Sequence, residues 1–574
     1  MAKFIRVNTK TRVADITEIP DQYAMFGGRE LTSTFLLDEV DPVTNPLGPG
    51  NKMVFATGLL AGTAAPNFSR LSVGGKSPLT GGIKEANVGG KAAFVMGLHD
   101  LRAIILDDKP VDKNFYNIVI TSNGDVVLEE ATEGKSLGNY AFARDVVEKH
   151  GSGVAALSIG PAGANQVLMA SIASLDLQNN PSRQAARGGL GAVMGSKGIK
   201  AIIIEPKQGS SITFEDPATF KSIAGAWARE LKTGKAGFSK LGTSMTVSVS
   251  QTVQGLPTRN FSEGTFDGSE KISGETLHEI IVARGGRFGI PCLPGCAIQC
   301  SNMVIGPDGE YVTSSLEYET IVMNGSNLGI DDIDTIARID HECDDIGIDT
   351  IEFGATIGVL MEAGKYAFGN ASDVFRVLDD IRKMTKNGKL YSQGAHRTGT
   401  ALNVARIPSV KKQAMSAYDP RTYKGMGVTF ATSPMGADHT AGAAIYKRTG
   451  IEPQKDYGDV FEKKAKLDLS FELQVLNGAC DMLGCCYFIG PNLDTLDRAA
   501  RLINARYGYD WNIETLVIKA KTMLRLELEF NKRAAFTSAD DRLPEFFETE
   551  TLPPAGRTWD ITGDEIDPFW KDKL

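Results

Sequence analysis

Seven cysteines mark the chain, and six of them fall in two groups. Cys292, Cys296 and Cys300 share one short Gly/Pro-containing stretch, Pro291-Cys292-Leu293-Pro294-Gly295-Cys296-Ala297-Ile298-Gln299-Cys300. Cys486 answers them far downstream in Asp481-Met482-Leu483-Gly484-Cys485-Cys486. Three thiols on a tight loop can all turn inward onto one inorganic centre, and a remote fourth can close the shell. Four thiolates suit an iron–sulfur cluster. They equally suit a structural zinc ion, and buried cysteine is also simply a small hydrophobe. Spacing alone leaves these readings open.

A second pattern joins distant segments. Asp344-Asp345-Ile346-Gly347-Ile348-Asp349 and Asp481-Met482-Leu483-Gly484-Cys485-Cys486 both read D-x-x-G-x-[D/C]. A carboxylate beside a glycine that permits a sharp bend at a helix end can accept hydrogen bonds from a planar, amine-rich heterocycle. Two copies suggest two heterocycles; two ordinary helix C-termini are the plain alternative.

The elements that must position these groups follow from length and pattern. A chain of 574 residues should divide into about three or four domains. The 62 glycines exceed the usual share of about 7% and crowd the first third, where close backbone approach could cradle phosphates. Residues 3–19 read as two strands around a turn, and 30–39 as a helix. An internal repeat follows: Val95-Met96-Gly97 with its downstream Ala103-Ile104-Ile105 matches Val193-Met194-Gly195 with Ala201-Ile202-Ile203. Each copy predicts a glycine loop, a helix and a strand, giving a two-fold-like domain. Helical patterns dominate from 216 onward, with an Asp331 cap opening one helix and later helices over 351–362, 372–384, 467–476, 493–506 and 513–531. The tail, with Pro553, Pro554 and Pro568, reads as extended and surface-bound. The expected fold is α+β: a β-rich N-terminal domain with a pseudo-two-fold repeat over 1–208, then two mainly α-helical domains over 209–416 and 417–574.

Composition narrows the function. The net charge of −9 and pI near 5.4 argue against general nucleic-acid binding. No apolar run reaches membrane-spanning length, and residues 1–15 lack a secretory h-region, so a cytoplasmic protein is expected. An odd cysteine count in two clusters does not resemble a disulfide framework.

Taken in order, the motifs carry a resemblance. Phe4-Ile5-Arg6-Val7-Asn8, Lys76-Ser77-Pro78-Leu79-Thr80-Gly81, Ser158-Ile159-Gly160-Pro161-Ala162-Gly163, the 187–197 segment, both D-x-x-G motifs and Ala417-Tyr418-Asp419-Pro420-Arg421 resemble the aldehyde ferredoxin oxidoreductase family essentially end to end. Members are tungsten enzymes whose metal is held by two pterins beside one [4Fe-4S] cluster. The resemblance implies that Cys292, Cys296, Cys300 and Cys486 hold the cluster and that Arg70 sits between it and one pterin. It implies that Asn87, Gly89, Arg183 and Gln184 line the pterin phosphates, with backbone carbonyls at Asn87 and Gln184 reaching a bridging Mg²⁺. Asp344, Asp349, Asp481 and the backbone at Tyr487 would orient the pterins. Glu319 and His439 match the family's acid/base pair, whose residue types suit proton transfer and carbonyl polarisation. Cys343, Cys480 and Cys485 are expected to pack.

The implied activity is oxidation of aldehydes to carboxylic acids with water, electrons passing to a ferredoxin or a partner iron–sulfur subunit in an oligomer or multi-subunit complex. Rivals are another low-potential reaction at the same centre, such as reduction of an aromatic thioester or an acid, and a zinc-holding scaffold. Two departures stand out. The cluster loop reads C-x3-C-x3-C instead of the family's C-x2-C-x3-C, which can alter sulfur hydrogen bonding and potential. Arg338 precedes His341 where some relatives carry the Glu of an E-x-x-H iron bridge, so that bridge between subunits is not expected.

Overall fold

A computed structural model describes residues 2–209, 212–445, 450–452 and 454–574. Its N-terminal region contains two six-stranded sheets of the same topology. In the first, strands run in the order Val13–Glu18, Lys3–Asn8, Leu101–Asp107, Met53–Thr57, Leu71–Lys76, Ile83–Val88. In the second, the order is Val126–Glu130, Tyr116–Ile120, Ile199–Ile204, Ala155–Ser158, Ile172–Ser174, Arg183–Ala185. Each pairs its opening hairpin with a single parallel strand, Lys3–Asn8 with Leu101–Asp107 and Tyr116–Ile120 with Ile199–Ile204.

The sequence repeat is the spine of this duplication. Helices Ala92–Leu98 and Leu190–Ser196 lie in one core with the inner faces of both sheets, where Met96 and Met194 are fully buried. Gly97 packs on the backbone of Ala61 and Gly62, and Gly195 on the carbonyl of Gly163, so close that a Cβ at either position would meet backbone at 2.4 or 1.9 Å. The outer faces are covered alike. Phe35 of helix Gly28–Glu39 packs over Val54, Ala103 and Ile105, and Phe142 of helix Asn139–His150 over Val119, Ala156 and Ile203.

The remainder is mainly helical, as the pattern required. The caps explain the starts: Asp216 accepts from Thr219 N, Asn492 from Thr495 N, and Asn512 forms a capping box with Thr515. Three expectations need correction, and one element was not foreseen. The cap of helix Ile333–Ile346 is Asp332 and not Asp331, because the Asp332 carboxylate is the one that receives Thr335 N. The helix expected over 467–476 runs from Lys466 to Leu483, buried along nearly its whole length and therefore without a polar face to mark its end. The stretch 287–314 forms a three-stranded sheet, Arg287–Ile290, Ser301–Ile305 and Tyr311–Ser314, whose first turn is the cysteine loop. Finally, the tail is not surface-bound: Phe547, Leu552, Trp559 and Phe569 are buried, because their apolar area outweighs the cost of ordering a proline-rich segment. Among the described residues no helix is long and apolar enough to cross a membrane.

Candidate active site between the duplicated sheets and the helical halves

Both D-x-x-G loops are gripped by equivalent parts of the duplicated domain. Gly58, after strand Met53–Thr57, lies against Leu483–Gly484, and Gly160, after Ala155–Ser158, lies against Asp345–Ile346. A Cβ at Gly58 would meet the Leu483 carbonyl at 2.0 Å, and one at Gly160 the Ile346 carbonyl at 2.1 Å, so only glycine permits the approach. Gly347 and Gly484 end their helices in the left-handed conformation that turns each loop back toward the sheets. Arg29, almost wholly buried, donates to Asp481 at 3.1 Å and to Glu527 at 2.8 Å. Asn139 holds the other loop by donating to the Asp344 carbonyl at 2.8 Å.

Between these loops lie two adjoining cavities of about 300 and 260 Å³. All fifteen residues singled out in the sequence line one or both. Cys292, Cys296, Cys300, Gly89, Arg183 and Asp344 face the first; Asn87, Asp349, Asp481 and Tyr487 face the second. Arg70, Gln184, Glu319, His439 and Cys486 line both and form the partition. Asn87 and Gln184 occupy equivalent places in the last strand of each sheet, opposite Ser72 and Ala173, and those two edge strands lie against each other.

The four thiols are buried. The Cys292 thiol hydrogen-bonds Cys296, so the two share a proton: Cys296 falls to about 6 and Cys292 rises well above its ordinary value. Burial raises Cys300 and Cys486. Among the described residues, no three His, Cys, Asp or Glu side chains are drawn in to the spacing of a single metal ion; the thiols surround a space.

Asn67 joins both cysteine segments, and sequence reading missed it. Fully buried at φ +64°, it donates from Nδ2 to Cys296 Sγ at 3.5 Å and accepts from Ala297 N at 2.9 Å. Its backbone N–H reaches Gly295 O, and its carbonyl accepts from Cys486 N at 2.9 Å. Gln299 N adds a second donor to Cys296 Sγ at 3.3 Å. The available signal was an Asn after Pro66, three residues before Arg70, in a turn-rich stretch.

Glu319 opens the helix Tyr318–Asn324, and His439 the turn His439–Ala441. His439 Nε2 lies 3.3 Å from Glu319 Oε1, and the hydroxyl of buried Tyr418 donates to the same oxygen at 3.0 Å. In the sequence Tyr418 stands out only as part of the motif Ala417-Tyr418-Asp419-Pro420-Arg421. Asp438 anchors this corner. Burial alone would raise its carboxyl, but Lys84, Arg187 and His439 outweigh that and hold it well below the ordinary range. Elsewhere burial wins: Glu317 rises to about 7, Asp340 to about 7, Glu85 to about 8, and Asp481 to about 6 despite Arg29.

Two family models match in succession, "Aldehyde ferredoxin oxidoreductase, N-terminal domain" over residues 4–206 and "Aldehyde ferredoxin oxidoreductase, domains 2 & 3" over 221–567. The chain belongs to the aldehyde ferredoxin oxidoreductase family. Its similarity to the tungsten-containing aldehyde ferredoxin oxidoreductases of Pyrococcus abyssi and Pyrococcus furiosus is 32% identity, over 96% of this chain and 92% of each relative. It is also 25% identical to the Pyrococcus furiosus "Aliphatic sulfonate oxidoreductase, WOR-like subunit", over 76% of this chain and 74% of that one. Among solved structures, the "Active site complex BamBC of Benzoyl Coenzyme A reductase in complex with 1,5 Dienoyl-CoA" shares the fold: TM-score 0.78, 18% identity, 98% of this chain and 92% of that chain. Proteins similar to this chain therefore carry names for more than one reaction.

The residues present fit a large polar and anionic cofactor. Arg183 is buried and, among the described residues, has no carboxylate partner, donating to Ser301 Oγ at 2.7 Å and leaving Nε unpaired. His439 Nδ1 and Asn477 Oδ1 are likewise buried and unpaired at the cavities. At Gly89 a Cβ would fill the gap to Cys292 Sγ and Arg70 Nη1, 3.6 Å from each. Where some relatives would carry the iron bridge, Arg338 instead lies over the Phe375 ring, and His341 stacks on Tyr140 with Nδ1 at the Val312 carbonyl.

Proposed function

We propose that the protein is a tungsten-bis-pterin oxidoreductase converting aldehydes to carboxylic acids: RCHO + H₂O → RCOOH + 2 H⁺ + 2 e⁻. Bound pterin-held tungsten would supply the two-electron chemistry, with a [4Fe-4S] cluster passing electrons singly to a ferredoxin or partner iron–sulfur subunit. The protein's part is to bind, orient and move protons.

Cys292, Cys296, Cys300 and Cys486 would hold the cluster, with Asn67 and Gln299 donating to one sulfur. Arg70, on the partition, and Arg183 would balance negative charge as electrons arrive. Asp344, Asp349 and Asp481 would receive the amine edges of the pterins. Arg183, Gly89, Asn87 and Gln184 would meet the phosphates, and the paired edge strands would offer the Asn87 and Gln184 carbonyls to Mg²⁺. Glu319 would take the proton released by water as it adds to the carbonyl carbon. His439 would donate to the carbonyl oxygen, and Tyr418 would fix the Glu319 carboxylate that both share.

The observation that carries this reading is the partition itself: Cys486 and the Glu319–His439 pair line the same wall between two cavities, one bearing the three other thiols. Viologen-linked turnover of a panel of aldehydes by metal-loaded protein tests it. Turnover of an aromatic thioester or a sulfonate, with none of any aldehyde, would replace the substrate assignment.

A further inference from the structure

We propose that the surface over the cysteine loop is the docking face for a small acidic one-electron carrier protein, engaged by Lys232, Lys240 and Arg287 around an apolar centre. This rests on reading the four thiols as an iron–sulfur site.

The first observation is where carboxylates are missing. The chain carries 70 Asp and Glu in 574 residues and a net charge of −9. Yet the 32 positions 231–262 and the 28 positions 280–307 hold none, where the chain's own average would place about seven. A third acid-free run, 482–493, contains Cys486.

The second observation is that these runs converge on the thiols. Helix Ala236–Leu241, from the first run, packs on strand Arg287–Ile290, from the second. Ser239 Oγ donates to the Ile298 carbonyl within the cysteine loop, and Gly242 lies against the Cys300 carbonyl. Phe238 contacts Phe488, ring centroids 5.0 Å apart, and Phe488 lines both cavities.

The third observation is exposure. Lys232, Lys240 and Arg287 are exposed, and among the described residues none of the three has a carboxylate partner. Gly295, between two of the thiols, is exposed as well, and Val282 is 58% exposed at the end of the neighbouring helix Gly274–Ala283. The acid-free runs, bordered by the exposed Glu230 and Glu279, thus give a negatively charged protein a basic, partly apolar face over the loop that carries three of its thiols. An acidic carrier is repelled by the molecule as a whole and drawn to that face, so the charge pattern selects orientation as well as partner.

The test compares metal-loaded wild type with the Lys232→Glu/Lys240→Glu/Arg287→Glu variant and a distant control, Lys10→Glu/Lys113→Glu/Lys571→Glu. The probe is an acidic ferredoxin, with binding measured at low and high ionic strength and its reduction compared with that of a viologen. The expected result is ferredoxin binding weakened at least about tenfold at low salt and its salt dependence flattened in the first variant. Viologen reduction should stay within about twofold of wild type, and the control should match wild type. Unchanged ferredoxin binding in the first variant, or equal weakening in the control, would overturn the proposal. Binding needs no aldehyde turnover, so a wrong substrate assignment leaves this result standing. A preparation without an iron–sulfur spectrum overturns the reading beneath the proposal, and is seen before any carrier is added.

Discussion

His439 Nε2 and Glu319 Oε1 meet at 3.3 Å, although one side chain opens a helix of the middle region and the other a turn far downstream. The Tyr418 hydroxyl reaches the same oxygen at 3.0 Å, so two side chains share one carboxylate atom at the wall of both cavities. Such convergence of a base, a donor and a positioning hydroxyl is costly to build by chance and suits proton transfer.

Replacing the acid tests that geometry. Glu319→Gln should lower kcat by about 10²–10⁴-fold, the usual worth of a positioned general base, with tungsten and iron content unchanged. Tyr418→Phe should cost about tenfold, the worth of one hydrogen bond to a charged group. Equal activity in wild type and Glu319→Gln at full metal loading would remove Glu319 from the chemistry.

Asn67 gives a second expectation. Its amide donates to Cys296 Sγ while its backbone ties Gly295 to Cys486. Asn67→Ala removes the N–H···S bond but keeps the backbone ties, so the cluster should assemble with a lower midpoint potential, because less of the added negative charge is balanced. Redox titration followed by electron paramagnetic resonance reads this. A potential unchanged from wild type would show that the amide does not act on the sulfur.

Stability should respond to pH through Glu352. Fully buried, its carboxyl is raised by burial to about 7, even though Ala395 N and Ala414 N donate to it at 3.0 and 2.8 Å. The folded chain therefore keeps a proton that the unfolded chain releases near 4.5. Stability from this group is complete below about 4.5 and is lost as pH rises through about 7, by roughly 3 kcal/mol. Other buried carboxyls act in the same direction, so the informative quantity is the difference between wild type and Glu352→Gln in unfolding free energy. That difference should change in this window, with the variant gaining relative stability toward alkaline pH; a pH-independent difference would refute the assignment.

What the sequence disclosed and what it hid divide along a physical line. Cys292, Cys296 and Cys300, the repeated Val-Met-Gly segments and both D-x-x-G loops are local patterns, in which chemistry or a tight turn fixes residue types at close spacing. Asn67, Tyr418 and the Arg29–Glu527 pair act across separations of 229, 99 and 498 positions, and nothing near any of them in the chain announces its partner. Gly58 and Gly160 are intermediate. The glycine-rich first third was visible, but their reason, contact with Leu483 and Ile346, exists only after folding. The tail misled because prolines mark local conformation, whereas Phe547 and Trp559 are placed by the burial of apolar area.

The central claim is that Cys486 and the loop of Cys292, Cys296 and Cys300 share one iron–sulfur centre beside pterin-held tungsten. Elemental and acid-labile sulfide analysis of anaerobically purified wild type and Cys486→Ala, with visible spectra, tests it directly. The account predicts about four iron, about four sulfide and about one tungsten per wild-type chain, with iron and sulfide falling sharply in the variant. Zinc with neither iron nor sulfide in the wild type, or a cluster indifferent to loss of the Cys486 thiol, would contradict it.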